Sequence, residues 1–344
     1  MHDLTTTASG AGGCRQMPML RNAKILVTGP AGQIAFPLAA YLAEHNEVWG
    51  LARFGDAATR ERVESVGVRT VSCDLASGDF ANVPADFDYV LHLATFRNGG
   101  LDYDQAMRVN AEGTHLLLAH CRAAKAVLVM STAEVYRPAD DPLRVIHESA
   151  PLGDSNSLFD PTYSMSKIAQ EAVARSCARA YDLPVTIARM NASYGDNGGL
   201  LTYHLDWLTA GKDIVVKWSP AMYSPIHQDD INAQSKALLG AASVPATIVN
   251  WGGDEPVAAQ EWCAYLGALT GREVNVVVKE VPGGIRGIVL DNSKRLAITG
   301  PCTVSWRDGL RRIVEARQGA PESTPATVHA QADRLLSSFD NAAD

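Results

Sequence analysis

The chain has 344 residues, 47% hydrophobic and 20% charged, an ordinary globular composition long enough to bury a large core. Its 30 Lys and Arg against 38 Asp and Glu give a formal charge of −8, which argues against a general binder of nucleic acid or anionic membranes. No apolar run approaches the length of a membrane span, and the six dispersed cysteines (Cys14, Cys73, Cys121, Cys177, Cys263, Cys302) form no C-x-x-C or Cys/His ligand spacing. A reduced, cytoplasmic, metal-free protein is the expectation.

Residues 1–21 lack the apolar segment of a secretory signal and read as a flexible leader. Residues 24–28 (KILVT) predict a short strand that ends in Gly29-Pro30-Ala31-Gly32-Gln33-Ile34-Ala35. A helix follows to about residue 45, with Pro37 in its first turn, where a missing N–H is tolerated. A second strand is expected over 47–51, a polar helix over 57–66, a third strand over 68–73 and a fourth over 88–93. One long helix is expected over 103–123, then a fifth strand over 126–130. A helix starting near Tyr163 runs to about 181, before a sixth strand over 185–189. Residues 317–344, rich in Pro, Ala, Ser and Thr, read as a loose extension. Strands alternating with helices imply an α/β fold with a doubly wound parallel sheet, which binds ligands at the carboxyl ends of its strands.

The chemically suggestive residues cluster at those ends. Gly29, Gly32 and Ala35 make a G-x-x-G-x-x-A turn between strand and helix, with Gln33 and Ile34 inside it. Glycine lets the backbone turn tightly and approach a pyrophosphate seated on the helix N-terminus, so a dinucleotide site is expected here. At the end of the second strand an acidic residue would bind the 2′-hydroxyl of NAD. Ala52 stands there instead, followed by Arg53, which favours the 2′-phosphate of NADP; NAD is the second choice.

Tyr163 and Lys167 lie four residues apart, so on a helix the phenol and the ammonium share a face. An unperturbed Tyr titrates near ~10, and bringing it to neutrality requires roughly 4 kcal/mol of preferential stabilisation of the phenolate. A Lys held nearby, aided by a cationic cofactor ring, is a source for it.

In this order the motifs resemble the extended branch of the short-chain dehydrogenase/reductase superfamily, the NAD-dependent epimerase/dehydratase family, over about residues 22–316. The series comprises the TGPAGQIA turn, Asp74-Leu75, His92-Leu93-Ala94, Asn110, the run Ser131 to Tyr136, Tyr163/Lys167, Arg189 with Tyr194-Gly195, Ile226-His227 with Asp230, and Asn250 with Gly252-Gly253. The resemblance implies a Rossmann core at 22–190 and 226–252, and a substrate lobe at 191–225 and 253–316. It places Asp74 at the adenine and Lys167 at the nicotinamide ribose, with Leu75, Leu93, Ala94 and Asn110 along the cofactor. It makes Tyr163 the general acid/base and has Thr132 hold the substrate oxygen. Ala133 borders the same loop. Glu134 is either a second base, as in dehydratases and decarboxylases of the family, or a polar loop residue. His92, His227 and Asp230 read as structural, Asp230 as the cap of a helix starting at Ile231.

Departures from the family bear on the substrate. Members acting on nucleotide-diphosphate sugars carry an Asn where this chain has Ala192, beside Asn191, and an Arg where it has Tyr223. Both usual residues grip the diphosphate, so their loss weakens a nucleotide-sugar reading. Arg286 is the counter-signal, at a position where sugar-nucleotide enzymes keep an Arg. Tyr203, Trp207, Trp218 and Met222 suit either a less polar ligand or a lobe core. Phe96-Arg97-Asn98-Gly99-Gly100 is a loop placed to touch substrate, with Phe96 as the candidate contact.

The leading expectation is therefore hydride transfer between NADP(H) and a ketone or secondary alcohol of a small metabolite. The alternative is an NAD-dependent sugar or nucleotide-sugar epimerase or dehydratase with transient oxidation by bound cofactor. A non-catalytic dinucleotide sensor is the third reading, disfavoured because Tyr163 and Lys167 are both kept. The resemblance also implies a homodimer through the helices after the fourth and fifth strands, for which Leu116, Leu117, Leu118, Ala169 and Val173 offer apolar faces.

Overall fold

The computed structural model describes residues 20–97, 101–153, 160–281 and 283–318. The expected leader up to residue 19, the loop residues 98–100 and the extension beyond 318 lie outside the described residues. Seven strands make one parallel sheet: β1 (Lys24–Thr28), β2 (Glu47–Ala52), β3 (Arg69–Ser72), β4 (Tyr89–His92), β5 (Ala126–Thr132), β6 (Val185–Met190) and β7 (Thr247–Trp251). Their order is β7-β6-β5-β4-β1-β2-β3, the doubly wound arrangement expected from alternating strands and helices.

The apolar strands explain themselves by alternation. Ile25 and Val27 of β1 enter one core with Leu38, Leu42, Leu91, Leu128 and Trp251. Leu26 points to the opposite core, with Leu51, Val90, Leu117, Val127, Val129 and Ile187. Successive side chains of a strand face opposite sides, so a sheet covered on both faces needs continuous apolar runs. A third core gathers Tyr194, Leu201, Trp207, Ile214, Trp262 and Leu310 from elements outside the sheet. Trp207 is thus core, and Tyr203 packs against the same cluster.

Four differences from the sequence reading matter. First, β5 extends to Thr132, so Ser131 and Thr132 are ladder residues paired with Arg189 and Met190. Second, the long helix after β4 is interrupted: Tyr103–Met107 and Gly113–His120 are α-helical, and a π-helical turn spans Arg108–Glu112. Third, the helix at Gln228–Gly240 is capped by His227, whose Nδ1 accepts from the Asp229 N–H at 3.1 Å. Asp230 instead sits in the first turn and accepts from the backbone of Thr303 and Val304 at 2.7 and 3.1 Å. Fourth, Leu117 and Leu118 are fully buried within the chain's own core, so they offer no apolar face to a second copy.

Candidate active site

The turn after β1 is built by close packing. Gly29 has φ +66°, and a Cβ there would stand 3.0 Å from the Ala94 Cα. Its N–H donates to the Leu51 carbonyl at 2.9 Å, and the Gly32 N–H donates to the Gly29 carbonyl at 2.9 Å. The helix Ala35–Ala43 starts immediately after. Within the turn, the backbone N–H groups of Gln33 and Ile34 have no acceptor among the described residues. Orphan donors at a helix N-terminus fit a pyrophosphate. The carbonyls of the same two residues accept from Asn197 and from Gln228, which ties the turn to the chain beyond β6.

The ends of β4 and β2 complete this side. The Thr28 hydroxyl accepts from the N–H groups of Leu93 and Ala94 at 3.1 and 2.9 Å and meets His92 Nδ1 at 2.8 Å. Burial pushes His92 down to about 3, with the Lys167 charge adding to the effect, so His92 is a neutral member of a buried network. Asn110, carried on the π-helical turn, accepts from the Phe96 N–H at 2.6 Å and donates to the Ser166 hydroxyl at 2.9 Å. Arg53 is exposed at the end of β2, where its carbonyl accepts from Ser72 at 3.0 Å. The Asp74 carboxylate accepts from the Ala76 N–H at 3.0 Å, and Leu75 is buried.

At the end of β5, Thr132 and Glu134 meet the start of the Tyr163 helix. The Thr132 hydroxyl accepts from the Glu134 N–H at 3.2 Å and hydrogen-bonds the Tyr163 phenol. Ser164 donates to the Glu134 carbonyl at 2.7 Å, locking the helix start to this turn. Ala133 is buried between them. The Glu134 Oε2 is buried and has no hydrogen-bond partner among the described residues. Lys167 is buried and donates to the Met130 carbonyl at 2.7 Å. Burial draws its ammonium down to about 7, opposed by Glu171 and reinforced by Arg97.

Tyr163 differs from the sequence expectation in its electrostatics. Desolvation raises the phenol above its usual value; the strongest opposing influence is the Arg97 guanidinium, and the Thr132 hydrogen bond adds to it. Glu134 and Asp160 push it further up. Lys167, aimed at Met130, is not the cation nearest in effect. Arg97 lies 4.6 Å from the Tyr163 ring centroid and ion-pairs at 3.2 Å with Asp160, whose side chain is buried. Sequence reading placed Arg97 only within a loop and missed Asp160 and Lys217 altogether. Lys217 is held below the usual Lys value by burial, with Glu134 opposing and Arg97 reinforcing.

The remaining candidates divide. Tyr223 is drawn well above the usual Tyr range, mainly by burial and further by the Glu134 charge. Asn191 donates to the Ile288 carbonyl at 2.9 Å, a backbone-holding contact. Arg286 pairs with Asp140 at 3.0 Å and lies 4.3 Å from the Trp218 ring. Among the described residues no cluster of three or more His, Cys, Asp or Glu is arranged to hold a metal, and no helix is long and apolar enough to cross a membrane.

The described geometry can be set beside known proteins. A dTDP-D-glucose 4,6-dehydratase of Dictyostelium discoideum is 28% identical over 194 residues, spanning 50% of this chain but only 44% of that protein. A probable UDP-glucuronate 4-epimerase of Rhizobium meliloti (strain 1021) is 23% identical over 85% of this chain and 96% of its own length. In fold, the UDP-glucuronic acid 4-epimerase of Bacillus cereus, solved with UDP-glucuronic acid and NAD, superposes with a TM-score of 0.73 at 22% identity, covering 86% of this chain and 99% of that one. The dTDP-glucose 4,6-dehydratase of Streptomyces venezuelae, solved with NAD, gives 0.73 at 26% identity, covering 86% and 97%. The model of the NAD dependent epimerase/dehydratase family matches residues 25–220, from β1 through β6 and the chain beyond it. With this match over more than half its length, and a parallel sheet carrying the motifs in family order, the chain belongs to the NAD dependent epimerase/dehydratase family.

Proposed function

We propose that this protein is an epimerase or dehydratase acting on a sugar or sugar-like polyol, with transient oxidation of a secondary alcohol and an NAD cofactor that stays bound. The carrying observation is the grouping of Tyr163, Thr132 and the partnerless, buried Glu134 Oε2 at the end of β5. A single oxidation needs one proton-transfer group. A second buried carboxylate oxygen suits chemistry with a further proton transfer next to the transient ketone. This replaces simple ketone reduction as the first reading.

In this reading residues 191–225 and 253–316 form the substrate lobe. The free N–H groups of Gln33 and Ile34 hold the pyrophosphate, and Lys167 lies toward the nicotinamide ribose. When bound, the nicotinamide supplies reversible hydride acceptance. Thr132 fixes the reacting oxygen while Tyr163 takes and returns its proton. Glu134 Oε2 takes a proton from the carbon next to the transient ketone and delivers it either back to that carbon, for epimerisation, or to the hydroxyl on the next carbon, which leaves as water in a dehydration. Ala192 and Tyr223 leave the usual diphosphate-gripping residues absent, which supports a substrate held mainly through its ring.

Net reduction of a ketone by NADPH is the second reading, favoured by the exposed Arg53 and the missing carboxylate at the end of β2. Purification followed by release and mass identification of the retained dinucleotide separates the two. Co-purified NAD, with turnover of a sugar in the absence of added cofactor, is the expected result. Bound NADP together with consumption of added NADPH by candidate ketones would sink the first reading in favour of the second.

A further inference from the structure

The sequence points to Lys167 as the cation that assists the phenol, yet its ammonium donates to the Met130 carbonyl at 2.7 Å and the cation acting most strongly on the phenol is another. A different cation lies on the ring. Arg97 leaves the end of β4 and stacks with its guanidinium carbon 4.6 Å from the Tyr163 centroid. Its Nε is held at 3.2 Å by Asp160, whose side chain is 2% exposed and which lies three residues before Tyr163. The Asp160 carboxylate is in turn braced by the Thr162 hydroxyl at 3.4 Å. We infer that Arg97 is a positioning residue for proton transfer: Asp160 fixes its guanidinium over Tyr163, where it sets the charge environment in which the phenol gains and loses its proton. The inference rests on the reading of Tyr163 as the acid/base, and Lys167 is left to hold the backbone and the cofactor ribose.

The physics favours this arrangement. A guanidinium is planar, keeps its charge at all working pH values, and stacks on aromatic faces, whereas an ammonium approaches as a point charge. Tyr163 is faced by Thr132 at the end of β5, by Glu134 on the turn after it, by Asp160 ahead of its helix, by Lys167 one turn along that helix and by Arg97 after β4. Beyond them stand Lys217, Tyr203 and Tyr223, which interact with Arg97 or Glu134. Of the groups acting on the phenol directly, both carboxylates oppose ionisation and the Thr132 hydrogen bond assists it. Arg97 is the cation that offsets the carboxylates. It is also half-exposed, at 48% of its side chain, so its effect is moderated by solvent.

The test reads the phenol itself, without substrate or turnover. Tyrosines are replaced biosynthetically by difluorotyrosine, whose phenol ionises at lower pH, and followed by fluorine NMR; the Tyr163 signal is identified by its loss in Tyr163→Phe. In Arg97→Gln the Tyr163 midpoint should rise by about half a pH unit, a roughly threefold loss of phenolate at fixed pH, while the other signals stay in place. Arg97→Lys should recover part of the shift. Because Asp160→Asn also removes a carboxylate that opposes ionisation, the comparison is between Asp160→Asn alone and with Arg97→Gln: the Arg97 shift should shrink once Asp160 no longer holds the guanidinium over the ring. An unchanged Tyr163 midpoint in Arg97→Gln, with the remaining spectrum native, overturns the inference. A shifted midpoint in a protein that turns over no sugar would instead count against the proposed function alone.

Discussion

In the proposed role Tyr163 exchanges its proton near neutrality, and burial works against that, because desolvation raises the phenol before any neighbour acts on it. The site answers with a hydrogen bond from Thr132 and the Arg97 charge, at the expense of two opposing carboxylates. Tyr163 and Glu134 should therefore be separable by kinetics. Tyr163→Phe is expected to lower kcat by about 10²–10⁴-fold with dinucleotide affinity nearly intact, because no reduced nicotinamide forms. Glu134→Gln is expected to let the reduced nicotinamide absorbance appear and persist on adding substrate, with product formation arrested. Full turnover in Glu134→Gln would remove that residue from the mechanism. The Tyr163/Lys167 pair was legible in the sequence because a four-residue spacing is a local property of a helix. Asp160 and Lys217 were not, since a lone Asp before Pro161 and a lone Lys in the apolar run IVVKW acquire meaning only when tertiary packing brings Asp160 to Arg97 and Tyr163, and sets Lys217 under the influence of Glu134 and Arg97. Arg286 shows the same limit from the other side: its sequence position did not reveal that Asp140 and Trp218 flank its guanidinium.

At the scale of elements, the helix from Tyr163 to Tyr181 is fastened to the sheet by a buried ion pair. Glu171 receives two hydrogen bonds from Arg189 of β6, at 2.9 and 2.7 Å, and both side chains are 3% exposed. Removing one partner strands the other charge, so Glu171→Gln should cost about 3–5 kcal/mol, read as a lower urea midpoint. The double variant Glu171→Leu with Arg189→Met should recover much of that loss. A single variant as stable as the parent would show the pair to be dispensable for folding. The strands were legible because continuous apolar runs such as KILVT and AVLVM suit a sheet buried on both faces. The π-helical turn was not, because RVNAE is ordinary helical sequence; the extra residue is accommodated where Asn110 bonds to Phe96 and Ser166 across the packing interface.

Across the whole molecule, two buried histidines shape the response to acid. His92 and His204 are each pushed down to about 3 by burial, from 6.5. A folded value below the unfolded one means that the unfolded chain takes up these protons first as pH falls. The stability they carry is complete above about 6.5 and is lost progressively between about 6.5 and 3. At pH 5 each costs up to about 2 kcal/mol relative to pH 7, so the urea midpoint should fall clearly over that interval. His204→Phe should flatten the dependence even though it removes the acceptor of Trp262 Nε1. Equal midpoints at pH 7 and pH 5 would contradict this account.

The sheet order has one more consequence. The family match ends at residue 220, yet β7, which hydrogen-bonds to β6 along Thr186 to Met190, is supplied by Thr247–Trp251. A chain cut at residue 220 would keep every motif from the glycine turn to Tyr163 and Lys167. It would also turn β6, whose six residues are all buried in the complete fold, into an open hydrophobic edge. An edge of that kind is a template for strand addition by another copy, with no charge or proline to blunt it other than Arg189, itself engaged with Glu171. The segment that carries the proposed chemistry is therefore not expected to stay in solution by itself. Dissecting this protein at the limit of the family match, residue 220, would yield aggregates.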